Sequence, residues 1–139
     1  MKLRLCLAVL LWACALPARA DLLLEDAWIA AAPPGATAHA AYAQLRNTGT
    51  RKRVCTAASS PDFGAAEIHR SLIEDGRHRM LRAQQIEIAP GQTAALAPGG
   101  LHLMLFRPAR PLAPGESARI TLDCGGTAVS APFFVRVRP

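Results

Sequence analysis

Two imidazoles and two thioethers are the side chains of this sequence best suited to act together. The segment Leu101-His102-Leu103-Met104-Leu105 sets His102 and Met104 two residues apart within an apolar run. Side chains on a strand alternate between faces, so His102 and Met104 share one face and the three leucines the other. Two further donors precede them. Ten residues separate His69 from Met80, and twenty-one separate Met80 from His102. Thioether sulfur is soft and selects Cu(I) over zinc, magnesium or calcium, while imidazole suits copper in general. Four neutral donors would hold a monovalent ion without accumulating negative charge, and no thiolate is present to oxidise. Each residue also has a plainer role, a methionine as core filling and a histidine as a hydrogen-bonded structural group.

The turn at Glu74-Asp75-Gly76-Arg77 decides whether His69 and Met80 can cooperate. With Asp75-Gly76 as a two-residue primed turn, Glu74 pairs with Arg77, Ser71 with Met80 and His69 with Arg82. His69 and Met80 then become diagonal neighbours on one face, about 7 Å apart. An odd-length loop would turn Met80 to the opposite face. His102 and Met104 belong to a separate strand that the fold must bring alongside. His78 shares the face of Met80 and is a possible auxiliary ligand, whereas His39 reads as a surface or strand-edge residue.

The elements that must position these residues are strands. Proline and glycine punctuate the chain at Pro33-Pro34-Gly35, Asn47-Thr48-Gly49, Ser60-Pro61-Asp62, Pro90-Gly91, Pro98-Gly99-Gly100, Pro114-Gly115 and Gly125-Gly126. The intervals suit strands and leave no room for a long helix. Strands are expected over 22–29, 40–46, 53–58, 65–73, 77–83, 86–89, 92–96, 101–106, 117–123 and 127–137. Ala118, Ile120 and Leu122 alternate with Arg119, Thr121 and Asp123, the pattern of a half-buried strand. Pro132 should mark an edge or bulge in the last strand. The economical architecture is an all-β, single-domain, two-sheet sandwich.

The first twenty residues read as a secretory signal peptide. Lys2 and Arg4 form a basic start, Leu5 to Leu16 an apolar run, and Ala18-Arg19-Ala20 a cleavage site. A lipoprotein reading would use Leu11-Trp12-Ala13-Cys14, where Trp12 fits poorly before a lipidated cysteine. Residues 21–139 then form one domain, and the formal charge of +6 falls to +3 because three of the sixteen basic residues lie in the leader. Aromatic residues are sparse and no basic stripe is interleaved with them, which argues against nucleic-acid binding. Two of the four cysteines, Cys55 and Cys124, remain in the exported chain and suggest one disulfide.

The spacing His69-x10-Met80-x21-His102-x-Met104 resembles the signature of the PCuAC family of periplasmic copper chaperones. The resemblance runs on through Ala27-Trp28-Ile29, Ala32-Pro33-Pro34-Gly35, Ala40-Ala41-Tyr42, Asn47-Thr48-Gly49, Ala58-Ser59-Ser60-Pro61, Glu74-Asp75-Gly76 and Leu96 to Met104. It implies a cupredoxin-like Greek-key β-sandwich or barrel binding one Cu(I) per chain through His69, Met80, His102 and Met104. It further implies a soluble periplasmic carrier making transient contact with a membrane-anchored acceptor. The expected partners are the CuA subunit of cytochrome c oxidase and thioredoxin-like copper assembly factors. Where many members carry extra methionines in the hairpin, this chain has Ser71, Ile73 and His78, and Arg70, Arg77, Arg79 and Arg82 make that hairpin basic.

Other functions have less support. A blue-copper centre needs a cysteine ligand with two histidines, and a Cys55–Cys124 bridge would remove both candidates. No paired carboxylates, nucleophile with base, or phosphate-binding glycine loop suggests an enzyme. The alternative of another class is a metal-free, non-catalytic β-sandwich interaction module outside the cytoplasm.

Overall fold

A computed structural model describes residues 20–82 and 84–138. The leader reading therefore lies outside the described residues, apart from Ala20. Eleven strands follow in order: β1 (Leu22–Ala30), β2 (Ala38–Asn47), β3 (Arg53–Cys55), β4 (Ala57–Ser59), β5 (Phe63–Glu74), β6 (Arg77–Leu81), β7 (Ile86–Ile88), β8 (Thr93–Leu96), β9 (Leu101–Pro108), β10 (Ser117–Asp123) and β11 (Ala128–Arg136). The alanine-rich stretch before Asn47 is β2, as the Asn47-Thr48-Gly49 turn implies. Its small side chains Ala41 and Ala43 pack into the core beside Leu45.

Neighbouring strands run in the order β1-β11-β10-β4-β5-β9-β2, and β1 also pairs with β2. The sheet thereby closes on itself as a barrel, the closed form of the expected sandwich or barrel. Closure removes sheet edges that would otherwise expose unpaired backbone groups. Four strands lie outside the ring: β8 on β2, β6 on β5, and β3 and β7 paired in a separate ribbon.

The core is filled by alternate residues of the ring strands, among them Ile29, Leu45, Leu103, Leu105, Ile120, Leu122 and Phe133. Alternation breaks in β1. The β1–β2 register shifts between Glu25 and Trp28, and Asp26 there has φ 49°. This one-residue bulge lets Leu22 and Ile29 both face inward although they differ in parity. It also places Trp28 on the outside, opposite Tyr42.

The single strand expected over 53–58 is two strands. The Thr56 N–H turns aside to bond the Asp123 carbonyl, so β3 joins β7 while β4 joins β5 and β10. Cys55 and Cys124 flank that bond and form a buried disulfide, their Cα atoms 3.8 Å apart. Pro132 pairs with Arg119 of β10, while the other side of β11 meets β1 only from Phe134 onward. The missing proline N–H thus falls where β11 has a single neighbour, as a proline in a sheet requires.

Candidate metal centre

Strands β5 and β9 form the wall that carries the two imidazoles. Their antiparallel register sets His69 directly opposite His102 and Glu67 opposite Met104. Ile68, Leu103 and Leu105 face the core, so the intervening residues His69, His102 and Met104 lie on the outer face of the barrel. Both histidines are nevertheless covered, at 2% and 3% exposure. Tyr42 of β2 flanks His102, with ring centroids 6.3 Å apart, and Phe106 flanks His69 at 6.1 Å. Tyr42 stacks at 4.7 Å on Trp28 and accepts a 2.8 Å hydrogen bond from Arg138.

The hydrogen bonds of the two rings decide which nitrogens are free. His102 Nδ1 lies 2.9 Å from the Gly100 carbonyl, which can only accept. The proton therefore sits on Nδ1, and the Nε2 lone pair is left over. The Ser71 N–H donates to that same carbonyl and steadies it. His69 Nε2 lies 2.7 Å from a Glu67 carboxylate oxygen, which places the proton on Nε2. Its Nδ1 is buried and has no partner. A buried polar atom left unpaired calls for an explanation, and a metal ligand is one. One ring nitrogen donating to a carboxylate or carbonyl while the other is free is the usual setting of ligating histidines. The centroids of the two rings are 6.0 Å apart. That spacing matches two imidazoles each reaching a shared ion at roughly 2 Å through one nitrogen.

Met104 shares the outer face of β9 with His102 and sits beside Ala40 of β2. Met80 enters from the hairpin. Asp75 and Gly76 both have positive φ, 50° and 71°, as a primed two-residue turn requires. The register is Glu74–Arg77, Ile73–His78 and Ser71–Met80, identical to that inferred from the turn residues. Met80 therefore occupies the face of Ser71 and His69. It is 52% exposed, and β6 is supported by β5 alone. His78 shares this face two pairs nearer the turn, opposite Ile73, and is exposed. Among the described residues, no group of three or more His, Cys, Asp or Glu side chains could hold a metal. Glu67 supplies a single carboxylate beside these imidazoles, too few oxygen ligands for hard cations such as Mg²⁺ or Ca²⁺.

Two sequence expectations need correction. The surroundings of the site are not wholly neutral, because Glu67 sets a carboxylate, 41% exposed, against His69. Its signal was present as the Glu67-x-His69 spacing, which puts both side chains on one strand face. His39 is not a surface or edge residue. It faces inward from β2, is 7% exposed, and meets Phe63 edge-on at 5.9 Å. The Gly100 carbonyl had no sequence signal, since any residue offers one.

The barrel thus presents two buried imidazoles on its outer face, each with one nitrogen free of hydrogen bonds, and carries Met80 and Met104 on that same face. A family profile described as "Putative lipoprotein LpqE-like" matches residues 22–132, and the chain belongs to that LpqE-like family. "Putative lipoprotein Lxx21020" of Leifsonia xyli subsp. xyli is 34% identical over 116 residues, covering 83% of this chain and 68% of that protein. Among solved structures, the apo PCuAC domain from PmoF1 has a TM-score of 0.71 at 23% identity, covering 86% of this chain and 96% of that one. The solution structure of CuI-DR1885 from Deinococcus radiodurans has a TM-score of 0.59 at 26% identity, covering 89% and 81%. The fold is accordingly the cupredoxin-like β fold of PCuAC domains, in line with the resemblance carried by the motifs.

Proposed function

We propose that this protein is an extracytoplasmic metallochaperone that carries one Cu(I) on the outer face of its barrel. His69 Nδ1, His102 Nε2 and the sulfurs of Met80 and Met104 are the ligands, with His78 as an auxiliary donor at the exposed hairpin. The observation that carries the reading is the pair of facing, buried imidazoles, each with its proton committed elsewhere and one nitrogen free. The Cu(I) form of the similar DR1885 supports the choice of ion. Soft, neutral ligands suit Cu(I), and an exposed thioether lets an acceptor exchange ligands one at a time. The role is carriage, not catalysis.

The acceptor is the CuA centre of cytochrome c oxidase, met transiently and alongside thioredoxin-like assembly factors, as the PCuAC resemblance implies. The arginines of the hairpin favour an acidic docking face. Replacing Arg70, Arg77 and Arg82 by glutamine should flatten the salt dependence of copper transfer to a CuA domain. Residues 1–20 direct export to the periplasm, and residues 21–139 form the working domain. Release after Ala20 gives a free carrier. The lipoprotein description of the family favours weighing tethering through Cys14 beside it, and labelling cells with a palmitate analogue separates the two.

The test is an anaerobic Cu(I) titration against a chromophoric chelator, with a variant carrying Met80→Leu and Met104→Leu. One ion per chain, lost in the folded variant, is the expected result. Failure of the folded wild type to compete would leave the metal-free interaction module as the better account.

A further inference from the structure

A cleft of ≈ 970 Å³ opens between the loop after β1, residues 31–37, and the segment 107–116 that links β9 to β10. None of the four proposed copper ligands lines it. Its walls are mostly apolar, with Pro33, Pro34, Pro108, Pro111, Pro114 and Leu112 among them. The volume lies within the range of small-molecule sites, which combine apolar walls with a few placed polar groups.

His39 supplies one such group. It lines the cleft, is nine-tenths buried, and its Nδ1 is sealed from solvent with no partner. Nε2 makes no hydrogen bond within the described residues and is not among the sealed atoms, so it is the nitrogen left to the cleft. A sealed N–H without an acceptor is rarer and costlier than an unused lone pair. The proton therefore belongs on Nε2, and the neutral ring offers one donor to the cleft.

The charges around the cleft complete the picture. The Arg110 guanidinium is committed to the Pro111 and Ser117 carbonyls and to Glu116. Glu116 in turn accepts from the Ala113 N–H, and that bond, with Arg110, holds its carboxyl below the ordinary range. Arg107 makes no ion pair or side-chain hydrogen bond among the described residues. It stands in the left-handed region at φ 53°, a strained conformation for a non-glycine residue. Its side chain lies over Gly64, where a Cβ would come within 2.7 Å of the Arg107 Nε. The lining thus holds one uncompensated positive charge.

We infer that this cleft binds a small apolar carboxylate, its hydrocarbon body against the prolines and its head group accepting the His39 Nε2–H within the field of Arg107. Decanoate, titrated into the purified protein below its micellar concentration, is the probe, with decanol as the uncharged control. Saturable binding that shifts the His39 ring resonances in NMR spectra is expected, with decanol at least tenfold weaker. His39→Phe keeps the ring contact with Phe63 and should weaken decanoate on the order of tenfold. Arg107→Gln should weaken decanoate and leave decanol unchanged, which keeps the test open if His39→Phe fails to fold. Both variants should bind Cu(I) as the wild type does. Absence of saturable binding, or decanol binding as tightly as decanoate, overturns the inference.

Discussion

The two halves of the proposed copper site are built differently. His69 and His102 lie in β5 and β9, ring strands with neighbours on both sides, and both are buried. Met80 lies on β6, a strand paired on one side only, with half its surface in solvent. The imidazole half is oriented before any ion arrives, by Glu67 and by the Gly100 carbonyl that Ser71 also holds. The Met80 thioether can leave without opening the barrel, whereas Met104 stays with the ring strand β9. A carrier needs this combination of a fixed seat and one ligand that an acceptor can displace.

Removing part of the fixed half should have the largest effect. His102→Ala should lower Cu(I) affinity beyond the roughly 10–100-fold that outer-shell changes cost. Competition with a chelator measures it, and a loss smaller than that caused by Glu67→Gln would undo the proposed division. Glu67→Gln comes next. Glutamine is nearly isosteric but weakens the charge-assisted bond that keeps the His69 proton on Nε2, so a loss of about 10–100-fold is expected, with the melting temperature held. In the exposed half, Met80→Leu should cost about tenfold or less, expressed as faster release to a chelator in stopped flow. Stability should be unchanged, since exposed substitutions usually stay within about ±0.5 kcal/mol. Gly76→Ala is the mildest for binding. The turn needs φ 71° at Gly76, and an L-residue there costs on the order of 1–2 kcal/mol. Faster amide exchange confined to the β5–β6 hairpin should report it.

The same contrast explains what could be read from the residues alone. The hairpin register was legible because Asp75-Gly76 names its own turn, and the parity of Met80 follows from it. The shared face of His102 and Met104 was legible from strand alternation. What escaped depends on distant backbone. The Asp26 bulge, the split at Thr56 and the insertion of β1 between β2 and β11 are set by partners far along the chain. The free nitrogens likewise depend on acceptors that only the fold supplies. His39 misled because a lone histidine between alanines carries no sign of the direction its strand face will take.

The most direct test of a site shared between the fixed and the displaceable half is copper K-edge X-ray absorption of the Cu(I)-loaded protein and of its Met80→Leu variant. Two nitrogen and two sulfur neighbours are predicted in the wild type, with one sulfur lost and both nitrogens kept in the variant. A copper shell without sulfur, or one unaffected by the loss of Met80, would contradict the account.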